Sequence, residues 1–286
     1  MVKDVFETNQ LPKDFSDKVT QRIQLVREGK SKIVCRTIWL ILTRKCPLEC
    51  RHCYLCGSRD GESITLPQVT RIIKHLPSGI ESLGITGGEP FTNKKLLYET
   101  LKLVKKRNFP NLTNIDVQTI GFWARNRAYA KKVIQELIDL GVNSFYIYGH
   151  DKWHWEAGLN KERQEMVVDV LKNEFNAVHP EGREDVERIF QGNRITYSLG
   201  ETKLVNPLGR ATWATNPEEW NPTKTDILGC HDFLYLKPTG YIYTINFNGE
   251  VHHGICLISR SLGNITLLNI RLLRYSKKPG RISFFN

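Results

Sequence analysis

No long apolar run, low-complexity segment or internal repeat occurs in this sequence. A membrane-spanning helix needs about 20 consecutive apolar residues, so the missing run argues against a membrane protein. The first residues, from Met1 on, are polar and do not form the apolar centre of a signal peptide, which predicts a cytoplasmic protein. At 286 residues and 40% hydrophobic, the chain can bury the core of one large domain, with room for a small appendage.

Cysteine is scarce, with seven residues that are unevenly spread along the chain. An odd, irregular set does not suit a secreted disulfide framework and favours a reducing compartment. After Cys56 only Cys230 and Cys256 follow. Because a second iron–sulfur cluster would need three or four thiolates, we expect the C-terminal part to hold no complete cluster.

Acidic residues are missing after Glu250, and the whole chain carries a net charge of +11. The charged residues after Glu250 are therefore all basic. Residues 93–108 are also strongly basic, with six Lys and Arg residues against Glu99 alone. This asymmetry is compatible with an acidic peptide, nucleic acid or a reducing flavoprotein as partner. A solvated helix face and a basic tail are the simpler alternative.

Three cysteines, Cys46, Cys50 and Cys53, follow an apolar, β-branched segment at residues 37–43. The segment predicts a strand buried on both faces, which would deliver the cysteines to the carboxyl end of a parallel sheet, where active sites lie. Three thiolates can bind three irons of a cubane and leave the fourth iron open to a ligand that is not protein. With Cys56 as a further ligand, the spacing also fits a structural zinc site or an electron-transfer cluster.

A second motif, Gly87-Gly88-Glu89-Pro90, follows the apolar segment at residues 80–86 and precedes a helix-like stretch. Glycine lets a backbone approach a ligand closely, so the amide and carbonyl groups of this loop are suited to a zwitterion. Pro90 suits the start of the helix.

Strand and helix signals alternate along most of the chain. The strands are predicted near residues 37–43, 80–86, 113–119, 143–149 and 194–199, and the helices near 66–76, 93–108, 126–140 and 161–176. This alternation predicts βαβ units, and hence an α/β fold with a parallel sheet. We divide the chain into a helical lead-in (1–34), a barrel domain (35–212) and a linker with a C-terminal extension (213–286). The extension contains a predicted β-hairpin formed by residues 233–236 and 241–245.

The cysteine loop after the first strand and the Gly-Gly-Glu-Pro loop after the second together resemble the radical S-adenosylmethionine (radical SAM) superfamily. In that family three cysteines, here Cys46, Cys50 and Cys53, ligate a [4Fe-4S] cluster, and the amino and carboxylate groups of S-adenosylmethionine (SAM) chelate the open iron. The Gly-Gly-Glu-Pro loop holds the amino group. The resemblance implies a partial (β/α)6 TIM-like barrel, open on one side, with a short C-terminal β-hairpin extension.

Later segments resemble members whose C-terminal part is of the SPASM or twitch type. The matching segments are residues 118–123, 146–154, 207–211 and 262–265, so the resemblance covers roughly residues 37–265. Ile120 stands where the family usually has Asn, and Gly149 stands where Ser is usual. Since too few cysteines follow the barrel, the resemblance implies a degenerate end of this type.

The resemblance also assigns roles to single residues. The implied cofactor-binding residues are His52, Tyr54, Gly87, Gly88, Glu89, Pro90, Thr119 and Arg210. His52 and Tyr54 are expected at the adenine, with ordinary packing as the alternative, and Arg210 at the methionine carboxylate, with a surface ion pair as the alternative. Glu89 is expected to hold its own loop. Asp151 and His154 follow the fourth strand and are candidate catalytic residues that face cofactor or substrate.

The implied activity is reductive cleavage of SAM to methionine and a 5′-deoxyadenosyl radical, which abstracts hydrogen from a substrate. A peptide or protein side chain is the expected substrate class, because the twitch-type architecture is frequent among peptide maturases. A small molecule that is dehydrogenated or epimerised is the alternative, and a flavodoxin- or ferredoxin-type protein is the expected electron donor. Two other classes remain open: a simple electron carrier, and a metal-stabilised nucleic-acid-binding protein with a zinc knuckle at residues 46–56.

Overall fold

The computed structural model describes part of the chain. The described residues are 35–76, 78–180, 194–200 and 210–219, together with 241–245, 250–253, 263–264, 274–275 and 282–283. The predicted lead-in at 1–34, both late cysteines and the first arm of the predicted hairpin at 233–236 lie outside them.

Five parallel strands form the main part of one sheet, and they are β1 (Cys35–Ile41), β2 (Ser82–Thr86), β3 (Asn114–Thr119), β4 (Ser144–Tyr148) and β5 (Thr196–Gly200). They lie side by side in chain order, with β5 at one edge of the described sheet, so this sheet is not closed into a full barrel. Each strand overlaps a predicted one. The predicted α/β fold with a parallel sheet is confirmed.

A sixth strand, β6 (Tyr241–Ile245), pairs in parallel with the free side of β1. Two antiparallel strands, β7 (Glu250–His253) and β8 (Gly263–Asn264), continue the sheet beyond β6. A separate two-stranded sheet pairs β9 (Arg274–Tyr275) with β10 (Ile282–Ser283). The antiparallel partner of β6 in the described structure is therefore β7, and part of the predicted C-terminal extension belongs to the main sheet.

The helices in the described part of the chain are α1 (Leu66–His75), α2 (Lys94–Arg107), α3 (Arg127–Asp139), α4 (Lys152–Glu156), α5 (Lys161–Phe175) and α6 (Ala211–Ala214). Helices α1, α2, α3 and α5 correspond to the four predicted helices in the predicted order, and the short helices α4 and α6 were not predicted. Polar side chains cap the N-termini of several helices. Thr65 and Gln68 form a capping box at the start of α1, and Asn126 caps α3 by accepting from the Tyr129 amide at 2.9 Å. No helix in the described part of the chain is long and apolar enough to cross a membrane.

One face of the sheet packs against the helices. Alternate strand residues such as Leu40, Ile85, Val117 and Ile147 join helix residues such as Leu137 in one hydrophobic core. The residues between them point to the opposite side, here called the inner face, and include Trp39, Thr86, Asp116, Gln118, Ser144, Tyr146, Tyr148 and Ser198. The expectation that the first strand is buried on both faces is confirmed at Ile41, which lies on the inner side and is fully buried, whereas Trp39 on the same side is half-buried.

Candidate active site

The cysteine loop leaves the end of β1 and folds back on itself. The Cys46 amide donates to the Ser58 carbonyl at 2.9 Å, and the Ser58 amide donates to the Arg44 carbonyl at 3.1 Å. The Arg44 side chain donates from Nε to the Leu55 carbonyl at 3.0 Å and from a terminal nitrogen to the Cys56 carbonyl at 3.3 Å. These bonds close the loop at its base and fix the path of the backbone between the cysteines.

The three predicted ligands share one environment. Cys46 and Cys50 are buried and pack with Leu48, Ile120 and Leu159, while half-buried Cys53 contacts the same cluster. Cys56 is not part of this cluster, although it is only three residues further on. This buried cluster therefore includes the three predicted ligands and leaves out Cys56, although the Cys56 amide donates to the Cys53 carbonyl at 3.2 Å.

The chemistry of these thiols fits an iron–sulfur cluster. Burial raises the pKa of Cys50 to about 12 and raises that of Cys46 as well, so each needs a cationic partner to become a thiolate. A coordinated metal supplies that charge and deprotonates its thiol ligand. The Gly57 amide already donates to Cys53 Sγ at 3.3 Å, a bond of the kind that tunes cluster potentials.

A zinc site makes a different demand on geometry. Zinc draws all its ligands around one point, whereas each cysteine of a cubane binds its own iron. Within the described ranges, no group of three or more His, Cys, Asp or Glu side chains is arranged around a single metal-ion position.

The Gly-Gly-Glu-Pro loop lies directly against the base of the cysteine loop. The Gly88 amide donates to the Thr43 carbonyl and the Glu89 amide to the Lys45 carbonyl, each at 2.7 Å. A Cβ at Gly87 would stand 2.5 Å from the Thr43 oxygen, and one at Gly88 would stand 2.5 Å from the Lys45 oxygen. These glycines thus permit a close approach to the neighbouring loop, where the sequence suggested an approach to a ligand.

The Glu89 carboxylate is fully buried and joins two loops. It accepts from the amide of Phe91 at 3.0 Å in its own loop and from the amide of Ile120 at 2.7 Å after β3. The Thr119 hydroxyl lies 3.0 Å from the same carboxylate. Burial raises the pKa of Glu89 to about 7, and these hydrogen bonds oppose the rise. The carboxylate therefore holds its own loop and also fixes the loop after β3.

Thr119 and Pro90 lie inside this packing. The Thr119 hydroxyl accepts from the Gly121 amide at 3.1 Å and from the Trp123 indole nitrogen at 3.0 Å, besides bonding Glu89. Pro90 is buried and opens a 3-10 turn, Pro90–Asn93, whose Phe91 ring stacks on Trp123 with centroids 4.6 Å apart. Thr119 therefore acts as a link in the scaffold behind the loop, and its hydroxyl is already engaged there.

Arg210 makes contacts that its sequence-based assignment did not include. Its guanidinium donates to the carbonyls of Cys50 at 2.9 Å and Gly57 at 2.6 Å, and its backbone amide donates to the Cys53 carbonyl at 3.0 Å. The side chain thus grips the cysteine loop from a segment far along the chain. Sequence reasoning missed this positioning role, for which the family-like segment at residues 207–211 was the signal.

We expect an Arg210→Lys variant to keep its fold and to lose side-chain hydrogen bonds to the cysteine loop. An ammonium cannot reproduce the planar fork that reaches two carbonyls, and a lost bond to a charged donor costs about 1.5–3 kcal/mol. The cluster of the variant should decay faster in air than that of the wild type, measured by loss of its visible absorbance. Arg127→Lys, a change in an exposed arginine that pairs with Asp169 and Glu174, is the control. Equal decay of the Arg210 variant and the wild type would contradict this role.

The loop after β4 packs on the cysteine loop. Asp151 caps α4, accepting from the His154 amide at 3.1 Å, and the same oxygen lies 2.8 Å from His154 Nδ1. The His52 ring contacts the His154 ring edge-on, with ring centroids 4.6 Å apart. Burial, together with the neighbouring His154, lowers the pKa of His52 to about 4. A neutral His52 ring thus joins the predicted catalytic pair to the cysteine loop. Tyr54 is 37% exposed.

Comparisons with known proteins give a family match for the part of the chain that holds this site. Residues 40–173 match the family model described as "Radical SAM superfamily". A "Probable GTP 3′,8-cyclase" of Archaeoglobus fulgidus is 28% identical over 145 residues, which are 49% of this chain and 45% of that protein. A second protein of that description, from Pyrococcus horikoshii, is 33% identical over 82 residues, which are 28% of this chain and 25% of that protein. The chain thus spans less than half the length of the curated relatives it matches.

Two solved structures give more distant likenesses. "BtrN in complex with AdoMet and 2-DOIA" has a TM-score of 0.49 and 15% identity, with 82% of this chain and 80% of that chain covered. "Native anSMEcpe with bound AdoMet and Cp18Cys peptide" has a TM-score of 0.45 and 15% identity, with 82% and 78% covered. The family match spans the cysteine loop and the Gly-Gly-Glu-Pro loop. The part of the chain that holds both loops is therefore similar to the radical SAM superfamily.

Proposed function

We propose that this enzyme cleaves SAM reductively at a cluster held by Cys46, Cys50 and Cys53 and abstracts hydrogen from an organic substrate. The grouping of these three thiols in one buried cluster that leaves Cys56 out carries the proposal. When bound, the cofactors supply one electron to the SAM sulfonium and yield methionine and a 5′-deoxyadenosyl radical. The protein contributes binding, orientation and the exclusion of water.

The chain's own residues divide this work. The amides of Gly88 and Glu89 donate hydrogen bonds to the base of the cysteine loop. These bonds support a role for the Gly-Gly-Glu-Pro loop at the amino group of SAM. Ile120 and Leu159 cover the buried thiols with apolar side chains and limit access of water to them. Arg210 holds the cysteine loop, as its bonds to the carbonyls of that loop support.

The remaining sequence-based assignments complete the proposed cofactor site. His52 and Tyr54 take the adenine side, which the neutral state of the His52 ring supports, since a neutral ring stacks on a purine without the cost of a buried charge. Asp151 orients His154 beside His52, and the pair is proposed to face cofactor or substrate at the mouth of the site. Thr119 acts through Glu89.

The substrate class is a finer proposal. A peptide or protein side chain remains the first candidate, since the twitch-like segments of the sequence support it, with the C-terminal part as a degenerate version of that type. A small molecule is the second candidate, favoured by the description of both curated relatives as probable GTP 3′,8-cyclases. A cytoplasmic flavodoxin- or ferredoxin-type protein is the proposed electron donor in either case.

Nucleic acid is a poor candidate partner, because several lysines of the basic helix α2 already form ion pairs or hydrogen bonds with other residues of the protein. Lys94 pairs with Glu136 at 3.2 Å, Lys102 with Glu99 at 2.8 Å, and Lys105 donates to the Asp139 carbonyl at 2.7 Å. Charges that are paired in this way contribute less to binding phosphates. The pairing supports the simpler interpretation of a solvated helix face, and it removes one argument for an acidic peptide.

Cleavage of SAM tests the proposal directly. Protein reconstituted anaerobically with iron and sulfide and reduced with dithionite is expected to convert SAM to 5′-deoxyadenosine and methionine in equal amounts, measured by liquid chromatography and mass spectrometry. Omitting dithionite should stop the conversion, because the cleavage consumes one electron. A folded, cluster-loaded protein that forms no deoxyadenosine would refute the proposal.

A further inference from the structure

The inner face of the sheet carries a buried carboxyl group that the cluster site does not use. Asp116 of β3 is 6% exposed and is hydrogen-bonded to the side chains of Ser144 and Gln118, which are both neutral. Burial raises the pKa of Asp116 to about 7. No cationic side chain among the described residues forms an ion pair with it. A buried carboxyl without a cation is costly, so its presence on this face needs a reason.

The hydrogen bond from Thr86 orients the Gln118 side chain towards the Asp116 carboxyl. Thr86 donates its hydroxyl to Gln118 Oε1 at 2.7 Å, which leaves the amide nitrogen of Gln118 to donate to Asp116. The chain of bonds from Thr86 through Gln118 thus orients the carboxyl. The partners provide hydrogen bonds to the carboxyl and no charge.

A tryptophan reaches towards Asp116 across a strand that has no side chain at that point. Trp39 of β1, Gly84 of β2 and Asp116 of β3 are in register. The Trp39 ring lies over Gly84, where an added Cβ would stand only 2.0 Å from a ring carbon. The indole nitrogen of Trp39 is buried and has no hydrogen-bond partner. A buried N–H group without a partner indicates a missing acceptor.

Two tyrosines connect this place with the cysteine loop. Tyr146 lies close enough to Asp116 for the carboxyl, together with burial, to raise its pKa. The Tyr146 and Tyr148 rings are 4.5 Å apart, and Tyr148 packs against the cluster that contains Cys46 and Cys50. Asp116 precedes Thr119 by three residues, or roughly 10 Å along a strand. Tyr146 and Tyr148 therefore link the surroundings of the buried carboxyl to those of the cysteines.

We propose that Asp116 binds a cationic group of the substrate, an ammonium or a guanidinium, flanked by the rings of Trp39 and Tyr146. A carboxylate provides a charge-assisted hydrogen bond, and aromatic faces attract cations. The Trp39 indole N–H would donate to an oxygen of the same molecule. This inference rests on the proposed function, because it places one end of the substrate on Asp116 and leaves the other end near the cysteine loop.

Ligand-observed NMR with the anaerobic, reconstituted full chain tests the inference with simple probes. n-Butylammonium is expected to bind at least about tenfold more tightly than n-butanol, a difference of about 1.4 kcal/mol. Asp116→Asn should abolish this preference, whereas Asp139→Asn, a change in an exposed carboxylate at the end of α3, should keep it. Equal binding of the two probes to the wild type, or an unchanged preference in Asp116→Asn, would overturn the inference.

Two further readings keep the test decisive. If Asp116 were only structural, its replacement would lower the melting temperature, whereas removal of a buried, unpaired charge at pH 8 should leave it equal or higher. The peptide Ala-Lys-Ala, compared with Ala-Met-Ala and n-butylammonium, distinguishes a peptide cation from that of a small molecule by which amine binds more tightly. A wild-type protein that forms deoxyadenosine but shows no cation preference refutes this inference alone, and one that forms none refutes the proposed function.

Discussion

A Cys50→Ala variant is expected to fold, to retain no intact [4Fe-4S] cluster and to form no 5′-deoxyadenosine from SAM. Cys50 is 6% exposed and packs with Cys46 in the cluster of buried side chains that Cys53 also contacts. Its removal leaves two thiolates, too few for a cubane with one open iron. Iron and sulfide content, the visible spectrum and deoxyadenosine formation are the measurements, and circular dichroism reports on the fold.

The matched control lies in the same loop. Cys56→Ala removes an equally small thiol that lies outside this group, so the cluster and SAM cleavage should both persist. Cys46→Ala and Cys53→Ala should behave like Cys50→Ala. If Cys56→Ala abolished the cluster while Cys46→Ala preserved it, the open-iron assignment would be wrong and an electron carrier with Cys56 as a ligand would replace it.

Glu89→Gln is expected to lower both the melting temperature and the affinity for SAM. The two carboxylate oxygens accept from separate backbone amides, those of Phe91 and Ile120. An amide side chain has only one oxygen, so its NH2 group must face one of these N–H donors. Each buried donor left without an acceptor costs about 1–3 kcal/mol, which corresponds to roughly a fivefold to 150-fold change in an equilibrium.

Calorimetry and equilibrium dialysis with SAM measure the two effects of Glu89→Gln. Glu99→Gln is the control, since Glu99 lies on the surface of α2 and pairs there with Lys102. Its effect should be below about 1 kcal/mol. A Glu89→Gln protein with wild-type stability and wild-type SAM binding would show that the carboxylate does not fix the loop.

The order of strands and helices could be predicted because each element carries its own local pattern. Helix α3 shows this most clearly, since Ala130, Val133, Ile134 and Leu137 recur at helical spacing and are all buried. The two loop motifs were also visible as sequence, because their chemistry resides in short runs. Predicted strand bounds differ from the observed ones by a few residues at most, as expected where the end of a strand depends on the strands beside it.

Contacts between distant segments could not be predicted in this way. Arg210 and Cys50 are 160 residues apart, and no local pattern announces that a guanidinium will meet that carbonyl. The partner of Gly88 is likewise a backbone oxygen in another loop, which only the packed sheet brings near. The alignment of Trp39 with Asp116 on either side of Gly84 depends on strand register. Register is a property of the assembled sheet and cannot be read from either strand alone.

The parallel pairing of β6 with β1 bears on how the enzyme is made. The strand that presents the cysteines has β2 on one side and β6 on the other, and β6 is synthesised long after the cysteine loop. Until then, an apolar strand has one row of unsatisfied backbone groups, which is a ready template for wrong pairing. A ribosome-bound chain that stops short of β6 would thus expose an unpaired edge of β1 beside its cysteines, and only the later synthesis of β6 covers that edge.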